Sequence, residues 1–317
     1  MKKKTVLSYA ILFSLLFLIS GIYLLAGHID YKDPHTVNII YKIRMPRLIM
    51  VIITGGALTL AGLCFQSLLK NPLATPYTLG VSSGSAFGAV IAIKLRLSGL
   101  SMPFSMAVGV FTILAVYRIS RIKGRFTIAT LLLSGISLSF FFSGLILFIH
   151  YIADFTQSAM MIRWMMGGFE AVTFNNVYFT LPFVLMFTLY IFLSSKDLNL
   201  VCLGDEIAQS RGVNVARLQK NIFITASLLT ASIISITGPI GFVGLIVPHI
   251  TRQITGQDHR KLIPFSFIAG GIFLLLADFF AKSVIHPASI PVGVLTSVMG
   301  GPFFLVILYK SRRILYL

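Results

Sequence analysis

The chain has 317 residues, of which 56% are hydrophobic and only 11% charged, with a formal net charge of +17. Soluble domains carry about 25% charged residues, so this composition and a mean hydropathy of +0.92 exclude an ordinary soluble enzyme and point to an all-α integral membrane protein. Loops on the cytoplasmic side of a membrane collect Lys and Arg, so the positive charge is read as topology, and no nucleic-acid partner is expected.

Apolar stretches long enough to cross a bilayer need about 20 residues. They fall at about 6–26, 48–69, 79–95, 103–118, 127–151, 177–195, 219–237, 240–250, 264–282 and 293–309, giving ten predicted transmembrane helices in a single domain over 1–317. The opening Lys2-Lys3-Lys4 and the apolar run behind it resemble a signal peptide. That run is long enough to span and no small-residue cleavage site follows, so it is expected to be the first helix. With the N-terminus inside, most of the 26 basic residues lie in inner segments, and both termini are cytoplasmic.

Arg44 and Arg47 flank Met45-Pro46 at the outer mouth of the second span, against this trend; snorkelling to lipid headgroups is one account of them. Inside that span small residues recur at Gly55, Gly56, Ala57, Ala61 and Gly62, a spacing that lets helix backbones approach where lipid offers no hydrophobic drive. Gln66 is a polar amide just inside the membrane, either bonded across helices or facing a pathway. The following KNPLATP holds two prolines, so no helix continues through it and a sharp inner turn is expected. Cys64 and Cys202 lack metal-ligand spacing.

Residues 203–221 read LGDEIAQSRGVNVARLQKN, a short helix with Asp205 as N-cap and Gly212 at the position after the end. Ile207 and Ala208 are its only apolar body, too small a face to anchor on a bilayer, so it is read as a protein-docking helix on the cytoplasmic side. The eighth span is short and carries Gly238, Pro239, Gly241, Gly244 and Pro248, which predicts a broken helix packed within the protein. Asp278 is the clearest acid within a span and a functional candidate for that reason; Lys282, four residues on, shares its helix face and predicts a pair. His249 beside a helix end is read as structural. No Gly-Lys dipeptide, HExxH or GxSxG occurs, so neither a nucleotide-binding loop nor a hydrolase is expected, and no His, Cys and carboxylate cluster offers a site for bare metal. The protein is not read as an enzyme; if transport uses energy, another polypeptide supplies it.

Several blocks resemble one family. TGGALTLAGLCFQSLLKNPLATPYTLGVSSGSAFG (54–88), LNLVCLGDEIAQSRGVNV (198–215), ITGPIGFVGLIVPHITR (236–252), DHRKLIP (258–264), LLADFFAKS (275–283) and IPVGVLTSVMGGPFF (290–304), with IRMPR (43–47) and WMMGG (164–168), are similar in content and order to FecCD-type permeases. These are the membrane subunits of ABC importers for iron–siderophores, haem and cobalamin. The resemblance implies a bacterial plasma-membrane subunit that pairs with a second permease, identical or different. It also implies two cytoplasmic ABC ATPases carrying ATP-Mg, no cofactor in this chain, and an extracytoplasmic substrate-binding protein. The segment 198–215 becomes the coupling element, with Gly204, Asp205, Glu206, Ile207, Ala208, Arg211 and Gly212 gripped by the ATPase. Arg44, Arg47 and Lys282 become docking residues for the binding protein. Asn71 and Leu73, with Ile128 and Ala129, become the cytoplasmic gate. Where relatives place a glutamate before the last helix, this chain has Ser289. A ferric siderophore is the expected cargo on family frequency, with haem or cobalamin as alternatives; a gradient-driven transporter using Asp278 is the reading from another class.

Overall fold

The computed structural model describes residues 2–25, 36–122, 125–126, 128–283 and 289–315. The chain runs through α1 (Lys2–Leu25), α2 (Thr36–Ile39), α3 (Met45–Leu68), α4 (Val81–Lys94), α5 (Ser101–Ile119), α6 (Ile128–Tyr151) and α7 (Phe155–Met165). It continues through α8 (Phe174–Leu193), α9 (Ser195–Leu203), α10 (Asp205–Ser210), α11 (Val215–Thr237), α12 (Val243–Thr255), α13 (His259–Ser283) and α14 (Val292–Leu315). A π-turn at Ile40–Arg44 joins α2 to α3 without a break. A two-residue antiparallel hairpin pairs Arg121 with Phe126 and Ile122 with Arg125 between α5 and α6.

Seven helices among the described residues are long and apolar enough to cross a membrane: α1, the continuous α2–α3, α5, α6, α8, α11 and α13. The other three predicted crossings are shorter. They correspond to α4, the apolar part of α14 (Val292–Val306) and the 13-residue α12, so the predicted ten rests on helices that need protein around them to reach through a bilayer. The irregular backbone expected inside the eighth span lies ahead of it. α11 stops at Gly238, the chain turns through Pro239, Ile240 and Gly241, and Phe242 sits at φ +66°. From Val243 the helix is continuous, with Pro248 within it.

α3 is the axis of the bundle. It is buried on all faces from Thr54 to Leu68 because α13, α12, α11 and α8 surround it. Its small residues allow this. A Cβ built on Gly55 would lie 2.2 Å from the Gly270 carbonyl oxygen of α13, and one on Gly62 would lie 1.9 Å from the Gly244 carbonyl oxygen of α12. Dispersion between closely approaching backbones holds helices together where lipid is as apolar as the side chains. A smaller cluster of Ala86, Val90, Ile93, Ile146 and Met161 joins α4, α6 and α7. Large apolar side chains such as Phe17, Phe140 and Phe148 point outward, as lipid-facing helices require.

Candidate functional site

Three groups of side chains stand out: a polar helix at one end of the bundle, a cavity running from that end along α3, and a buried ion cluster at the other.

At the first end α9 and α10 leave the bundle after α8. α10 spans Asp205–Ser210. The N-cap is Gly204 at φ +148°, not Asp205, which is the first helical residue and makes no capping bond. Its carboxylate reaches Lys70 instead, at 2.9 Å, and so ties α10 to the turn after α3. Both partners are nearly half exposed, at 44% and 46%, and exposed pairs contribute little. Lys70→Ala is therefore expected to change thermal stability in detergent by less than about 1 kcal/mol, read as a melting curve. Gly212 ends the helix at φ +83°, where Val213 N–H donates to the Ala208 carbonyl at 3.0 Å and Gly212 N–H to that of Gln209 at 2.9 Å, as in a Schellman motif. Glu206, Ile207 and Arg211 are exposed, but Ala208 is fully buried. Ala208 therefore anchors α10 to its own chain, and Ile207 alone offers apolar surface outward. Next to α9, Asp258 caps the start of α13. The Asn199 amide bonded to it holds its carboxyl below the usual range. Partial desolvation raises the thiol of Cys202, which is exposed, and this keeps it protonated.

The turn after α3 is built as the two prolines require. Asn71 Oδ1 accepts from Leu73 N–H at 2.9 Å, an Asx-turn. Leu73 is 41% exposed and faces a cavity of about 680 Å³ whose wall also includes Leu58, Tyr77, Met165, Phe242, Leu245 and Val298. Among the described residues no charged side chain lines it. The Phe242 ring packs onto Gly300 of α14, where a Cβ would meet it at 2.2 Å; an aromatic residue at positive φ is held there by its surroundings. α6 meets this turn through Gly135, whose Cβ would lie 2.7 Å from Leu79 Cα. Ala129 at the start of α6 is exposed, and the Ile128 side chain lies outside the described residues. Gln66 resolves to one of its two readings: it is 3% exposed and bonds across helices to the Gly244 carbonyl and Arg252.

At the opposite end Asp278 is 1% exposed. It accepts both prongs of Arg47, from Nη2 at 2.7 Å and Nε at 3.1 Å, and a bond from the Tyr23 hydroxyl. Lys282 lies 3.5 Å from the same carboxylate and donates to Tyr23 Oη at 2.6 Å. The sequence pair Asp278–Lys282 is present, but Arg47 is the closer partner. That commits the Arg47 fork within the chain, so the outer surface expected of Arg47 and Lys282 is largely spent on Asp278. Arg44 donates to the Leu24 carbonyl at 2.8 Å. Ser289 lies 3.4 Å from Glu170, which also pairs with Arg163 at 3.1 Å.

The model of the FecCD transport family matches residues 5–310. The chain belongs to that family. An uncharacterized ABC transporter permease protein of Bacillus subtilis is 39% identical over 90% of this chain and 83% of its own length, and a hemin transport system permease protein of Yersinia pestis is 35% identical over 86% and 83%. A solved metal-chelate type ABC transporter in an inward-facing conformation superimposes with a TM-score of 0.89 at 31% identity, over 96% of this chain and 99% of the other. FecCD-family chains are ABC transporter permease subunits, components of transport rather than enzymes, and this one is a multi-pass membrane protein. Two features of this permease went unread in the sequence. Asp154-x-x-Gln157 forms a capping box at the start of α7, a signal that was there to be found. α9 lies in a segment read as loop up to Gly204; its polar Lys196, Asp197 and Asn199 hide a buried stripe of Ser195, Leu198 and Val201.

Proposed function

We propose that this permease subunit carries chelated iron inward by ATP-driven alternating access, as half of a permease pair in a bacterial plasma membrane. Two cytoplasmic ABC ATPases hold the ATP-Mg and grip α10, and a binding protein delivers the chelate outside; both termini lie in the cytoplasm. The single observation carrying this reading is α10. It is a six-residue polar helix between two positive-φ glycines, Gly204 and Gly212, with Ile207 outward and Asp205 tied to the Lys70 turn beside the cavity. A helix that buries nothing of its own beyond Ala208 is shaped to be held by another protein and moved as a unit. The apolar cavity suits a low-affinity slide, with affinity residing in the binding protein. A ferric siderophore is the preferred cargo. Relatives named for hemin, cobalamin and iron chelatin keep haem and cobalamin as alternatives, and one is named for molybdate.

The test is purification of the tagged chain from its own cells in mild detergent, with identification of the polypeptides that come with it. An ATPase in stoichiometric amount is expected, falling at least about tenfold for Ile207→Glu while recovery of the permease is unchanged, because a charge in a docking groove is left unpaired. An ATPase-free wild-type complex, or recovery indifferent to Ile207→Glu, overturns the reading.

A further inference from the structure

Six polar groups between α9 and the C-terminal end of α3 form a single line of hydrogen bonds. At one end Asn199 Nδ2 donates to Asp258 Oδ1 at 2.8 Å. Asn199 Oδ1 accepts from His259 N–H at 2.9 Å and faces His259 Nδ1 at 2.7 Å. Because a backbone N–H can only donate, the amide orientation is fixed, and Nδ1 must carry the proton. A neutral ring then accepts at Nε2, so the Ser67 hydroxyl donates there across 2.8 Å. Ser67 Oγ in turn accepts from Arg252 Nη2 at 3.4 Å. Arg252 Nη1 donates to Gln66 Oε1 at 2.8 Å, which turns Gln66 Nε2 toward the Gly244 carbonyl at 3.2 Å. Every link is satisfied in one direction only. Gln66, Ser67 and His259 are at most 4% exposed, so water does not compete for the inner bonds.

The two ends of this line matter. Asn199 belongs to α9, two turns before α10. Gly244 opens α12 and lines the large cavity. α12 itself is a short rod set off at both ends: Phe242 at φ +66° precedes it and Gly256 at φ +79° follows it. A rod so bounded is not continuous in helix with α11 or α13, although its Thr251 is bonded to Ser266 of α13 at 2.8 Å, and the Gly62–Gly244 contact is where it would slide against α3.

We infer that the line from Asn199 through His259, Ser67, Arg252 and Gln66 to the Gly244 carbonyl is a strut that positions α12 according to where α9 and α10 stand. The inference rests on the ATP-coupled reading above and goes beyond it by naming the connection. The surface pair Lys70–Asp205 reaches only the turn; the strut reaches the cavity wall. Arg252 makes no ion pair among the described residues, and its guanidinium joins two links of the line instead.

Ser67→Ala breaks the line at its middle with the least change of shape, and Ser67→Thr keeps the hydroxyl. The readout is the rate at which N-ethylmaleimide labels Leu73→Cys at the cavity, in a Cys202→Ser background, in the complex purified with its own partners, without nucleotide and with ATP plus vanadate. In the parent, nucleotide is expected to change that rate at least fivefold. In Ser67→Ala the change is expected to fall below twofold while ATP hydrolysis stays within twofold of the parent, and Ser67→Thr is expected to restore it. Adding Gln66→Leu to Ser67→Ala is expected to cost nothing further, since a strut broken once is already broken. A full nucleotide response in Ser67→Ala overturns the strut. So does a loss of labelling response that is matched by equal losses of assembly and hydrolysis, because that describes a merely structural serine. A parent complex without an ATPase overturns the importer reading, and the strut falls with it.

Discussion

Asp278→Asn is expected to destabilise the protein by about 3–5 kcal/mol, seen as a lowered melting temperature in detergent by fluorescence of Trp164, the single tryptophan. The substitution keeps the size of the side chain and removes only its charge. Arg47, with its side chain 14% exposed, and Lys282, at 33%, are then two cations close to one uncharged amide. Their mutual repulsion in a poorly solvated site is no longer offset, and the amide can meet the two-pronged Arg47 with only one oxygen. Removing both members of the main pair should do less harm than removing one, because a well-packed apolar pair needs no desolvation of charge. Arg47→Met with Asp278→Leu is accordingly expected to recover most of the loss, leaving Lys282 on the Tyr23 hydroxyl and ring, 4.2 Å from the ring centre. The same variants separate the two classes of transporter. A proton-relay acid needs changing access to water on both sides, whereas this carboxylate is 1% exposed and held by three donors from α1, α3 and α13. If Asp278 did carry protons, Asp278→Asn would abolish uptake with an unchanged melting curve. Loss of stability with residual uptake in the folded fraction supports the clamp.

Most of the fold was legible because a bilayer leaves few options. An apolar run of the right length must be a helix, which places α3 and α6 and the ends of α11 and α13, whereas α11 and α13 begin earlier than their apolar runs, at Val215 and His259. The reading was weakest where a segment is neither clearly apolar nor clearly polar. α9 was missed since its buried Ser195, Leu198 and Val201 are interleaved with polar Lys196, Asp197 and Asn199, and α7 since it lies among polar residues outside the long apolar runs. Among the site residues, single-residue chemistry was read better than contact. That Asp278 must have a partner followed from its burial in a span, but only the fold brings Arg47, 231 positions away, nearer than the local Lys282. Ile207 and Ala208 look equivalent in the sequence; which one faces outward depends on the angle at which α10 sits against α11, and that angle is set by tertiary packing. Ser67, Asn199 and His259 carried no signal, because each is an ordinary polar residue until the line they form is seen.

The second large effect is expected at the crossing of α3 and α12. Gly62→Ala places a methyl carbon where the Gly244 carbonyl oxygen would be only 1.9 Å away, far inside contact distance. Backbone cannot step aside as a flexible side chain can, so the two helices must separate by on the order of 1 Å to regain ordinary contact. Overpacking of this kind costs about 1–3 kcal/mol, and the separation also lengthens the 3.2 Å bond from Gln66 to Gly244. The result should be a lowered melting temperature and less monodisperse protein in detergent. Gly244→Ala meets the Leu58 carbonyl oxygen at 2.6 Å and is expected to act in the same direction. Because either substitution forces the same separation, the double variant should lose less than the sum of the two. Gly21→Ala is the control: among the described residues nothing lies within 4 Å of a Cβ at that position on α1, and alanine there should be neutral or slightly stabilising, by no more than about 1 kcal/mol. Equal tolerance of alanine at Gly62 and Gly21 would mean that α12 does not rest on α3 at this point. The close crossing would then not be the seat on which the cavity wall moves.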